Sequence, residues 1–224
     1  MKAAFLDRDG VINSLIYHQD MGIIDSPFTL AQFRVLPRVP QAIRRLNDLG
    51  LAVIIASNQP GIAKGHFDAG LLEQFDQKLH LALRRVGARI DATYYCLHHP
   101  KAVIKQLRQR CQCRKPGIGL LLQAARDLGL SLAGSYMVGD GITDLEAGTT
   151  VGCRTVFIGT WKCEICQLTH PRGLRPSFVA KDLWEASEFI QSDMSNPSGS
   201  QLRSHVDPTF APPHSTVLPR RSSL

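Results

Sequence analysis

Two aspartates, Asp7 and Asp9, close the apolar run that starts the chain, "MKAAFLDRDGVIN". Residues two apart in extended chain project the same way, so both carboxylates can face one ligand. One ionised carboxylate of such a pair can attack phosphorus to give an aspartyl-phosphate, while its neighbour passes a proton to the leaving oxygen. Gly10 allows the tight turn that follows. A capping aspartate before a turn would give the same spacing, so the pair needs support from elsewhere in the chain. That support comes from other run ends. "AVIIASNQPGIAKG" finishes on Ser57, Asn58 and Gln59, whose hydroxyl and amides can donate to phosphoryl oxygens, and its glycines leave backbone N–H groups open to an anion. "SYMVGDGITD" finishes on Asp140, a carboxylate suited to a hard, oxygen-seeking cation such as Mg²⁺. Lys115, in "CRKPG", offers a positive charge that can bridge nucleophile and phosphate.

The elements that must position these groups are legible as alternation. The runs "AAFLD", "AVIIAS", "ATYYC", "SYMVGD" and "TVFIG" are apolar and bounded by polar or turn residues, as central parallel strands should be. Between them Val39, Ile43 and Leu46 repeat at helical spacing up to Gly50; Leu72, Phe75, Leu79 and Val86 do so up to Gly87; Leu121, Ala124 and Leu128 do so up to Gly129. This predicts an α/β fold with a doubly wound, mainly parallel, Rossmann-like sheet whose ligand sits at the carboxyl ends of its strands.

A second group of residues has the chemistry of a metal site. In "CLHHPKAVIKQLRQRCQCRKPG", Cys96 and His98 stand one residue apart, as do Cys111 and Cys113. Three thiolates and one imidazole make a complete tetrahedral set for a structural Zn²⁺. His99 rivals His98 as the fourth ligand, and free thiols beside a surface histidine are the alternative. Cys163, Cys166 and His170 also have ligand spacing, but Cys153, a conceivable fourth ligand, lies across the "TVFIG" run; inert thiols are the preferred reading there.

Taken in order, "FLDRDG", "ASNQPGIAKG", "CRKPG" and "VGDGITD" resemble the four motifs of the haloacid dehalogenase superfamily of phosphatases. The resemblance implies that Asp7 is the nucleophile and Asp9 the general acid/base, that Ser57 and Lys115 stabilise phosphate, and that Asp7, the Asp9 carbonyl and Asp140 hold Mg²⁺. Asp144 and Glu146 are read mainly as helix-start residues, with orientation of Lys115 or of the metal shell as the superfamily's alternative for Asp144. "CLHHP" and "CQCRKPG" are similar to the zinc loop of one branch, the D-glycero-D-manno-heptose-1,7-bisphosphate 7-phosphatases and related histidinol-phosphatases, over roughly residues 1–180. In that branch Arg114 recognises substrate beside Lys115, and no large cap domain is present. The implied activity is Mg²⁺-dependent hydrolysis of a small sugar phosphate, with heptose 1,7-bisphosphate first and histidinol phosphate second. "SLIYHQDMGIIDSPFTLAQFRVLP" matches the branch only loosely, and Tyr17 and His18 are its candidate sugar contacts.

Composition bounds these readings. The 224 residues suffice for one sizeable core, with 44% hydrophobic and 20% charged residues, and no run approaches the roughly 20 apolar residues of a membrane helix. One domain is expected over residues 1–190, followed by a disordered Ser/Pro-rich tail over 191–224. The start lacks a secretory signal's apolar stretch, which predicts a cytoplasmic home and reduced or metal-bound cysteines. The net charge of +7 is spread along the chain without a Lys/Arg block, so a non-catalytic zinc module gripping nucleic acid is the reading from another class. The expected partner is a small phosphorylated metabolite, with no nucleic acid, no membrane and a monomeric chain.

Overall fold

A computed structural model describes residues 1–160, 169, 171 and 173–196. Its centre is a sheet of six parallel strands in the order β5-β4-β1-β6-β7-β8. These are β1 (Ala3–Leu6), β4 (Ala52–Asn58), β5 (Ala92–Cys96), β6 (Tyr136–Gly139), β7 (Arg154–Ile158) and β8 (Phe178–Ala180). The first five are the apolar runs read from the sequence. The sixth has only three residues, too few to show a period.

Alternation along the strands divides the core in two. Ala4, Leu6, Val53, Ile55 and Val138 face one side, where they meet α1 (Val39–Asp48), α2 (Ala69–Arg84) and α5 (Leu183–Ser195). Ala3, Phe5, Ile54, Ala56 and Met137 face the other, against α3 (Gly119–Leu128); Gly148 of α4 (Ile142–Thr150) packs on Met137 there. Both faces of the sheet are thus buried, which is why its strands read as continuous apolar runs. Two of the helices start on capping aspartates that take up free N–H groups: for α2 Asp68 accepts from Leu71 N at 2.8 Å, and for α5 Asp182 accepts from Glu185 N at 2.8 Å. Among the described residues, no helix is long and apolar enough to cross a membrane.

Two excursions leave this frame, and among the described residues neither folds into a domain of its own. Between β1 and α1 the chain forms an antiparallel hairpin, β2 (Ile16–His18) and β3 (Ile23–Asp25). Between β5 and α3 it forms the cysteine loop. The expected end of the folded unit at residue 190 is corrected by α5, which runs to Ser195. Its last turn is held by the buried carboxylate of Asp193, which accepts from Tyr136 Oη at 2.6 Å and pairs with Arg154 Nη2 at 2.8 Å. The polar composition of "QSDMSN" hid this, because its one inward acid is satisfied by partners remote in sequence. Asp193→Ala leaves the buried Tyr136 hydroxyl without its acceptor and removes one ion-pair partner of Arg154, and should cost about 1–3 kcal/mol in urea denaturation.

Candidate active site

The strand order reverses at β1, whose neighbours are β4 on one side and β6 on the other. A crevice therefore opens outside the carboxyl ends of these strands. Asp7 and Asp9 leave β1 there, Ser57 to Gln59 leave β4, and Asp140 leaves β6. A cleft of about 240 Å³ lies between them, lined by Asp7, Asp9, Asn58, Arg114 and Asp140 of the predicted set. Ser57, Gln59 and Lys115 are buried behind its wall. Gly10 has φ +82°, and a Cβ there would collide with the Asp140 carboxylate. Only glycine lets the first loop pass so close to the third acid.

Asp7 is fixed through Oδ1, which accepts the Arg8 N–H at 2.8 Å and lies 3.0 Å from Lys115 Nζ. Lys115 Nζ also donates to the Ala56 carbonyl at 2.7 Å and pairs with Asp144 at 2.5 Å. Burial pulls the lysine pKa down, but the carboxylates of Asp144 and Asp7 outweigh it and hold the pKa above the usual lysine value. Asp144 is thus part of the site, the alternative the superfamily suggested for it, while its Oδ2 also accepts the Gly141 N–H at 3.1 Å. Among the described residues no cation pairs with Asp140. Burial, then the nearby charges of Asp7 and Asp144, push it up to about 7.

Asp9 takes its bonds from a different set. Asn13 Nδ2 donates to Oδ1 at 2.8 Å, and Gln59 Nε2 donates to Oδ2 at 2.5 Å. Arg8, between the two acids in sequence, is fully buried, and its Nη2 reaches Asp9 Oδ2 at 3.3 Å and Gln59 Oε1 at 2.6 Å. The sequence gives no sign of this, because an arginine beside two acids reads as a solvated charge.

Several expected phosphate donors turn inward. Asn58 clamps the backbone of Lys115: its Oδ1 accepts the Lys115 N–H at 2.9 Å, and its Nδ2 donates to the Lys115 carbonyl at 3.1 Å. Gln59 spends its amide on Arg8, Asp9 and the Ser57 hydroxyl, the last at 3.0 Å. The hairpin candidates are also displaced. Tyr17 is 61% exposed and does not line the cleft, while His18 is buried, with Nε2 2.9 Å from the Ser26 carbonyl and its ring stacked on Phe28 at 3.7 Å. Leu15, Ile24, Asp25 and Lys64 line the cleft in their place, the last two paired at 3.1 Å.

The cysteine loop closes on four side chains. The sulfurs of Cys96, Cys111 and Cys113 are 3.1–3.5 Å apart, and His98 Nδ1 lies 3.4 Å from Cys113 Sγ. These separations are far beyond a disulfide's roughly 2.0 Å, and suit ligands standing about 2.0–2.3 Å from a shared ion. His99 instead accepts the Lys101 N–H at 3.1 Å, which separates the two rivals. Cys163, Cys166 and His170 lie outside the described residues. Cys153 is buried and donates to the Leu132 carbonyl at 3.3 Å.

A larger cleft of about 560 Å³ between α1 and α5 lies away from all the predicted site residues. Its charges are already engaged: Arg44 Nε with Asp48 at 2.8 Å, and the Arg45 guanidinium on the Trp184 ring at 3.8 Å.

The HAD-hydrolase-like family model matches residues 112–186. D-glycero-β-D-manno-heptose-1,7-bisphosphate 7-phosphatase of Photorhabdus laumondii is 39% identical over 161 residues, covering 71% of this chain and 81% of the relative. The enzyme of the same name from Escherichia coli K12 is 37% identical over 161 residues, covering 71% and 80%. Among solved structures, D,D-heptose 1,7-bisphosphate phosphatase from B. bronchiseptica, complexed with magnesium and phosphate, superposes with a TM-score of 0.70 at 33% identity, over 86% of this chain and 99% of that one. By both sequence and fold, this chain belongs to the haloacid dehalogenase-like hydrolases, among the phosphatases of the heptose-bisphosphate branch.

Proposed function

We propose that this chain hydrolyses the 7-phosphate of D-glycero-D-manno-heptose 1,7-bisphosphate, with Asp7 as nucleophile and Asp9 as general acid/base. The observation that carries the reading is the meeting of Asp7, Asp9 and Asp140 on one small cleft, with Lys115 Nζ 3.0 Å from Asp7. The substrates named for the relatives supply the sugar.

Asp7 Oδ2 attacks phosphorus in line with the sugar oxygen; the P–O bond to the sugar breaks, and that oxygen takes a proton from Asp9. Asp9, now a carboxylate, takes a proton from water as the water oxygen attacks the aspartyl-phosphate. The bond between phosphorus and Asp7 Oδ2 breaks, inorganic phosphate leaves, Asp7 is again a carboxylate, and the water proton on Asp9 restores the acid. Lys115 stands beside the nucleophile and offsets the charge that gathers on the phosphoryl oxygens. Arg114, on the cleft wall and donating to the His98 carbonyl at 3.4 Å, meets the substrate from the side of the cysteine loop.

The donor set fits a hard divalent cation. Asp7, Asp140 and Asp144 offer carboxylate oxygens within 4.8 Å of one another, and burial together with the charges of Asp7 and Asp144 holds the Asp140 pKa high. Asp7, the Asp9 carbonyl and Asp140 would hold Mg²⁺, while Asp144 is engaged by Lys115. When bound, Mg²⁺ neutralises charge between the carboxylates and the phosphoryl group. Cys96, His98, Cys111 and Cys113 would hold a structural Zn²⁺.

Asp7→Asn should abolish turnover with an unchanged melting curve, and wild type should hydrolyse the heptose bisphosphate at least tenfold more efficiently than histidinol phosphate; retained turnover or the reverse preference refutes the assignment. Without metal, folded Asp140 keeps its proton up to about pH 7, whereas the unfolded chain has released it above about pH 4. Stability from this group is therefore lost as pH rises through that window. Asp140→Asn should thus raise the metal-free melting temperature at pH 8 by roughly 2–4 °C, with the gain vanishing near pH 4, while turnover is lost. Finally, Cys113→Ser should lose one zinc equivalent by elemental analysis and melt at a lower temperature than wild type.

A further inference from the structure

We infer that Arg8 is a positioning residue for Asp9, acting through Gln59. The inference rests on the reading of Asp9 as the general acid.

Arg8 is placed at unusual cost. Its side chain is 0% exposed, and among the described residues Nε and Nη1 have no hydrogen-bond partner. Its guanidinium carbon lies 5.4 Å from the Phe75 ring centre, 5.5 Å from Tyr95 and 6.0 Å from Phe33. Those π-faces offset part of the lost hydration. The box is itself anchored, since Phe33 and Phe75 stack at 5.0 Å and Tyr95 Oη donates to Asp76 at 2.6 Å. A leucine or methionine would fill an aromatic pocket without burying a charge. The arginine's charge meets Asp9 first and then Tyr95 and Asp76, and its one nitrogen that leaves the box is Nη2.

That nitrogen decides which way the Gln59 amide faces. Nη2 donates to Oε1 at 2.6 Å, so Nε2 must point the other way, where it donates to Asp9 Oδ2 and Ser57 Oγ. In the flipped amide Oε1 would face the Asp9 carboxylate, and two acceptors would repel. With Asn13 on Oδ1 and Nη2 itself 3.3–3.4 Å from both oxygens, the carboxyl plane of Asp9 is held by three side chains. General acid catalysis needs that constraint, because the proton must be delivered along the line of the breaking bond.

Leaving-group dependence separates positioning from mere support of the fold. A sugar oxygen must be protonated as it departs, whereas p-nitrophenolate need not be. Arg8→Met should lower kcat/KM for the heptose bisphosphate about 100-fold or more, and for p-nitrophenyl phosphate less than about tenfold. Inhibition by inorganic phosphate should stay within about threefold of wild type, and Arg8→Lys, which restores a donor, should recover part of the loss. Should Arg8→Met fail to fold, Gln59→Leu carries the same expected split. Equal losses on both substrates, or a parallel loss of phosphate affinity, overturn the inference. Asp9→Asn, assayed alongside, tells the two failures apart. A split in Asp9→Asn but not in the Arg8 or Gln59 variants refutes the role of Arg8 alone, while no split in Asp9→Asn removes the acid assignment and this inference together.

Discussion

Crowded negative charge at the end of a buried sheet is the constraint on which the rest of the structure depends. Asp7, Asp9, Asp140 and Asp144 converge where three adjacent strands stop, and strand ends facing a crevice offer little water to screen them. Two buried cations divide the task. Lys115 lies between Asp7 and Asp144, and Arg8 lies against Asp9. Asp140 pairs with neither; burial first, and then the charges of Asp7 and Asp144, push its carboxyl up to about 7, and burial holds Asp144 up at about 6 even beside its lysine. The excess of acid over paired cation is thus confined to the strand ends that face the cleft.

A rigid scaffold is needed to keep such a cluster from relaxing. Stripping a buried pair of one partner typically costs about 3–5 kcal/mol, so the lysine and its acids must arrive together. The parallel sheet accomplishes this by burying both faces: β1, β4 and β6 are in register over most of their length, and their carboxyl ends cannot shift singly. The glycine at position 10 is the complement of that rigidity. It gives the first loop a left-handed turn and lets it pass against Asp140 without a side chain between them.

Much of this was legible in the sequence, and the failures share one cause. Five of the six strands announced themselves because parallel strands buried on both faces are unbroken apolar runs. The acids, the lysine and the cysteine set were legible as chemistry at run ends. Arg8, Asn58 and Gln59 were not, since the direction of a side chain beyond a strand's end is set by tertiary partners. Asn58 reads as an open amide and is spent on the Lys115 backbone. The hairpin misled for a simpler reason. Neighbouring residues of a strand point to opposite faces, so Tyr17 and His18 could not both meet a ligand. One faces solvent, the other packs on Phe28, and the cleft is lined from β3 by Ile24 and Asp25.

The clamp on Lys115 shows why the cysteine loop stands where it does. Only Arg114 separates Lys115 from Cys113, so the backbone of the lysine is tied closely to the cysteine cluster. On the far side Asn58 fixes both the N–H and the carbonyl of the same residue, tying it to the end of β4. A lysine has four rotatable bonds and considerable freedom, which is poor material for a fixed charge. Holding its backbone from both directions and its ammonium on Ala56, Asp7 and Asp144 removes that freedom. The cysteine loop on one side and β4 on the other thus fix where this one positive charge lies, 3.0 Å from Asp7.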